Sequence, residues 1–77
     1  MKAKMSLETV QRFETSEILR FKAVAGKWPY PQDGSDEDNT YARFTPTAEF
    51  QITVTNPDLF GKFNPGEKYY VDFTKAE

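Results

Sequence analysis

A mainly β fold is what this 77-residue sequence predicts: a small single-domain barrel or curled antiparallel sheet of four to five strands with one short helical turn. Three observations predict it. Apolar residues recur at every second position in four separate stretches, the period of a half-buried strand. Proline, glycine and asparagine gather between those stretches, where turns are needed. With 16% aromatic residues and neither cysteine nor histidine, the chain must fold by packing a few large side chains, without disulfides and near the lower size limit for a single core.

The elements follow in order. Ala3, Met5 and Leu7 alternate with Lys4, Ser6 and Glu8 as in a strand with one buried face. Val10 and Phe13 do not continue that phase, which places a bulge near Glu8 or Thr9, or a turn after Arg12. Phe13 to Ser16 is polar enough for a hairpin loop. From Glu17 to Ala25, Leu19, Phe21 and Ala23 alternate with Arg20 and Lys22, a second strand antiparallel to the first. A helix from Leu7 to Val24 competes with this reading, but Leu7, Val10, Ile18 and Phe21 fit a helical stripe only with gaps.

Residues 26–40 carry two prolines, two glycines and four carboxylates, the composition of a long loop that is either functional or mobile. Tyr41 to Phe44 is expected to add a short edge segment before Pro46. Ala48, Phe50, Ile52 and Val54 alternate strictly with Glu49, Gln51, Thr53 and Thr55, the clearest strand in the chain, and Ile52 is expected in the core. Asn56-Pro57 suits an N-cap followed by the first helical position, and Gly61 suits a left-handed terminus, so Pro57 to Phe60 reads as one helical turn. Asn64-Pro65-Gly66 makes a tight turn into a last strand where Tyr69, Val71 and Phe73 alternate with Lys68, Tyr70 and Asp72. Residues 74–77 are an expendable tail.

The stretch from Phe44 to Phe73, F-T-P-T-A-E-F-Q-I-T-V-T-N-P-D-L-F-G-K-F-N-P-G-E-K-Y-Y-V-D-F, resembles a group of small, mostly uncharacterised proteins of tailed bacteriophages. Their shared pattern is a Thr-Pro, an alternating strand, an Asn-Pro, and a Phe-x-Pro-Gly-x-x-Tyr-Tyr ending in Asp-Phe. The likeness covers about the last 30 residues, with a looser Lys-Ala-Lys start. It implies an origin, and with it action in the host cytoplasm or, alternatively, in the virion. It assigns no catalytic or ligand residue.

Asp33, Asp36, Glu37 and Asp38 could ligate a hard cation, but Gly34 stands too early for a calcium loop and no closing Glu follows, so a solvated charged loop is the better reading. A catalytic carboxylate would need burial. Asp72, between Val71 and Phe73, is the nearest candidate, and an edge position suits it better. Serine and threonine hydroxyls have no imidazole to activate them, and Ser16 lacks the flanking glycines of a nucleophile elbow. The expectation is a protein that is not an enzyme and uses no cofactor and no metal.

Binding is the remaining class. Lys27, Trp28, Tyr30, Tyr41, Arg43 and Phe44 place aromatic faces beside cations, which suits a host protein, a small nucleotide or single-stranded nucleic acid. Nucleic acid is the least favoured, because a net charge of -2 supplies no cationic field. The plainer alternative is that these aromatics fold back to cap the core, as Phe60 and Phe63 are expected to do. Polar interruptions at Ser6, Glu8 and Thr9 exclude a signal peptide or spanning helix at the start of this sequence, so no membrane role is expected. Unpaired strand edges make a homo-oligomer plausible.

Overall fold

A computed structural model describes residues 1–26 and 31–77. Four antiparallel strands form one sheet in the order β3-β2-β1-β4: β1 (Lys2–Arg12), β2 (Glu17–Ala23), β3 (Glu49–Val54) and β4 (Lys68–Asp72). The outer strands β3 and β4 do not meet, so the sheet is curled and open, and the barrel alternative falls away.

The central hairpin forms as its pattern requires. Leu7 faces Phe21 but Thr9 faces Arg20, so the extra residue is Glu8 and the bulge lies where the phase of the alternation slips. The slip brings Val10 opposite Leu19, back on the apolar face. The Phe13 N–H donates to the Ser16 carbonyl at 2.8 Å to close the turn, as expected of that polar stretch.

Ala3, Met5 and Leu7 from β1, Leu19 and Phe21 from β2 and Val54 from β3 are the buried apolar core, all on one face of the sheet. Phe21 meets Phe50 in a tilted contact at 5.7 Å and Tyr69 edge-on at 5.8 Å, and Tyr69 itself meets Phe63 at 5.6 Å. Phe60 and Phe63 pack against this core and cap it, as the sequence suggests. The other face carries Lys2, Lys4, Lys22, Arg20, Lys68 and Tyr70.

The segment after β3 is a single 3-10 turn, Pro57–Leu59, with the Asn56 side chain accepting from the Asp58 N–H at 3.0 Å. Glu17 ties this turn to the sheet. Its carboxylate, 2% exposed, accepts from the Gly61 N–H at 3.2 Å and pairs with Arg12 at 3.4 Å, while the Arg12 guanidinium lies over the Phe60 ring. The Asn64 to Glu67 turn closes with a 3.2 Å bond, and Gly66 takes the positive φ that position requires.

Two expectations need correcting. Tyr41 to Phe44 is not an edge strand but a run of turns, held by bonds such as Ala42 N–H to Asn39 carbonyl. Ile52 does face the same side as Leu19, its cross-strand partner, yet it is 42% exposed. Ile52 lies in the middle of the edge strand β3, whose end residue Val54 is by contrast buried in the core.

Candidate functional site

The loop from residue 31 to Phe44 is not a loose polar connector. β2 ends beside the middle of β1, leaving the N-terminal part of β1 without a strand partner on that side. The loop takes the vacant place. The Asn39 side chain sits between Lys4 and Val24 as an inserted peptide group would: its Oδ1 accepts from the Lys4 N–H at 2.8 Å and its Nδ2 donates to the Val24 carbonyl at 2.7 Å. One step on, the Thr40 N–H donates to the Lys2 carbonyl at 2.9 Å and the Lys2 N–H donates to the Thr40 hydroxyl at 2.8 Å. Asn39 is 0% exposed and every bond it makes satisfies a group that burial would otherwise penalise.

Asp36 braces the same corner. Its carboxylate accepts from the backbone of Gly26 and Asp38, both at 2.9 Å, and from the Asn39 amide at 3.1 Å. Burial by itself would raise this carboxyl, but the hydrogen bonds from Gly26, Asn39 and Asp38 outweigh it and hold it below the ordinary carboxylate value. A Cβ on Gly26 would run into the Asp36 carboxylate, so the sequence needs glycine there. The acidic stretch is thus only partly a solvated charged loop: Asp36 is an internal acceptor. Asp38 reaches outward, where it pairs with Lys4 at 3.4 Å and accepts from the Tyr70 hydroxyl at 2.9 Å.

Around this brace the loop opens a cleft of about 430 Å³ lined by Ser35, Glu37, Thr40, Tyr41, Ala42 and Arg43, with Asp36 at its wall. Tyr41 and Arg43, two of the sequence candidates, therefore share one concavity. Tyr41 is half-buried and leans on the core, so it also plays the capping part. Its hydroxyl is buried without a partner among the described residues, and burial followed by the charge of Asp36 pushes it above its usual value. Arg43 donates to the Asp33 carbonyl at 3.1 Å and is otherwise exposed.

Phe44 lies apart from the cleft. Its φ of 59° is in the left-handed region, where no other non-glycine residue is found among the described residues. Two contacts hold it there. The Phe44 N–H donates to the Gly34 carbonyl at 2.7 Å, and the ring lies so close to Gly34 that a Cβ on that residue would come within 2.6 Å of it. Even so the residue is 55% exposed. Lys27, Trp28 and Tyr30, the other three candidates, lie outside the described residues.

Asp36 and Asn39 are the residues that sequence reasoning missed. The only available signal was their kind, since Asp and Asn bond readily to backbone, but nothing local distinguishes them from Asp33 or Asp38. Asp72 is exposed at the sheet margin, 3.9 Å from the N-terminal amine. On the polar face Lys22 pairs with Glu8 at 3.6 Å and Lys2 lies over the Tyr70 ring, so part of its positive charge is already matched.

Comparison with protein-family models, with curated proteins and with solved structures finds no match to the chain.

Proposed function

We propose that the chain is a non-enzymatic accessory protein that binds and neutralises a host protein through the loop from residue 31 to Phe44. The observation that carries the reading is Phe44, an exposed aromatic side chain on a left-handed backbone. Such a conformation costs on the order of 1–3 kcal/mol in a non-glycine residue, and strain of this kind concentrates at binding sites. Beside it stands Arg43, and aromatic residues with arginine are the usual anchors of protein interfaces. The Asn39 and Asp36 bonds hold the loop in place before any partner arrives, which lowers the ordering cost of association.

A phage origin, implied by the resemblance, makes a factor of the infected cell the target and the host cytoplasm the place. A nucleotide signal is the weaker ligand for this cleft, since Glu37 and Asp36 line it and, among the described residues lining it, only Arg43 offers a cation to phosphate. A second reading, a minor virion component, draws on the two open edges of the sheet. Single-stranded nucleic acid is a third, drawing on the lysines and Tyr70 of the polar face.

Affinity purification of the tagged chain from infected cells tests the first reading, with Phe44→Ala and Arg43→Ala run beside it. A stoichiometric host protein lost in both variants supports the proposal. Recovery of only phage head or tail proteins, together with copies in purified particles, moves the function to the virion. Salt-dependent retention of oligonucleotides in gel shifts would favour nucleic acid.

A further inference from the structure

We infer that the chain forms a two-fold homodimer in which β3 pairs antiparallel with β3 of a second copy, Gln51 facing Gln51 across the axis, so that two four-stranded sheets become one.

The backbone phase of β3 comes first. The Ala23 N–H donates to the Ala48 carbonyl, which turns the backbone groups of Ala48, Phe50, Ile52 and Val54 towards β2. Those of Glu49, Gln51 and Thr53 therefore point outwards, and among the described residues no other backbone bonds to them. Natural edges are blunted with lysine, proline, bulges or inward charges. β4 carries Lys68 and Asp72 along its outward-facing positions, whereas β3, E-F-Q-I-T-V, carries one charge, Glu49, at its start and no lysine, proline or bulge.

Self-pairing about Gln51 uses all of these groups at once. Gln51 exchanges backbone bonds with Gln51 of the second copy, and Glu49 with its Thr53, so no outward group is left over and no like charges stand opposite. The same register sets Ile52 against Phe50 of the second copy on the apolar face. That covers an exposed aliphatic with a half-exposed aromatic, a favourable cross-strand pair. Moving the axis to Ile52 keeps the faces but sends Glu49 past the end of the strand, and a shift by a single residue would throw the apolar side chains to the wrong face.

Sedimentation equilibrium of the full chain, with Gln51→Lys, Thr53→Lys and Gln51→Pro, tests the inference. The parent is expected at twice 8.9 kDa. Gln51→Lys, which sets two lysines against each other, is expected at the single-chain mass with an unchanged far-UV circular dichroism spectrum. Thr53→Lys, which would meet Glu49 of the second copy, is expected to remain a dimer. Gln51→Pro removes an outward N–H together with the bond that the Gln51 side chain accepts from Arg20 at 3.2 Å and should also be monomeric, and if it unfolds the lysine pair decides. A monomeric parent, or a dimer that Gln51→Lys leaves intact, overturns the inference.

Discussion

Asn39 makes the fold of the loop and the sheet interdependent, because one side-chain amide completes the backbone ladder between Lys4 and Val24. Asn39→Ala would leave the part-buried Lys4 N–H and Val24 carbonyl without this partner, and a loss of about 1–3 kcal/mol in urea unfolding is expected. Asn39→Asp should not rescue, since the carboxylate cannot donate to Val24 and would face Asp36. Asp36 itself makes stability depend on pH. Its folded-state value lies below the ~3.9 of an unfolded aspartate, so its contribution is fully present above about pH 4 and is lost as pH falls through the depressed folded value. Asp36→Asn is expected to flatten that acid limb in a series of melts below pH 4 while lowering stability at neutral pH. Gly26→Ala should destabilise through the same carboxylate. None of this was legible in the sequence: within D-G-S-D-E-D-N the buried acceptor and the solvated acids are chemically alike, and only the end of β2 beside Val24 decides which is which.

The strands themselves were legible, since alternation is a local property and each of the four occupies the stretch that shows it. Even the bulge at Glu8 announced itself, because one extra residue must shift the phase of every apolar side chain after it. What alternation cannot register is whether a face is covered. Leu19 and Ile52 are cross-strand partners with equal claims by pattern, yet Leu19 is buried in a central strand and Ile52 is not. Leu19→Ala is therefore expected to cost about 2–5 kcal/mol, and Ile52→Ala in the monomer well under half of that, measured by denaturant midpoints at matched concentration. Glu17 is the other surprise of an element read correctly. Its register beside Val54 points it at the apolar face, where the Gly61 N–H and Arg12 meet one carboxylate oxygen and the other is buried without a partner among the described residues.

Taken as one body the protein is thin. Its principal extents are 48 × 33 × 16 Å and its radius of gyration is 14.4 Å, against about 11–12 Å for a compact chain of this length. A single sheet with a partial cover of loops cannot bury its apolar face as two packed layers do, and a β3-linked dimer would add contacts only at the Phe50 and Ile52 seam. The melting temperature of the parent is accordingly expected to rise with protein concentration, by mass action, and that of Gln51→Lys to stay constant in the same calorimetric series. Of the candidate site, the sequence alone identified the loop and the residue types Tyr41, Arg43 and Phe44, because composition and aromatic-cation neighbours are visible without coordinates. Tertiary structure alone decided that Tyr41 and Arg43 share a cleft, that Phe44 stands outside it on a strained backbone, and that the sheet stays open. The physical reason is the range of the forces involved. Strand period, turn chemistry and capping act over a few residues and are written locally, whereas burial, edge position and the partner of a buried polar group depend on segments some 35 residues apart, as Lys4 and Asn39 are.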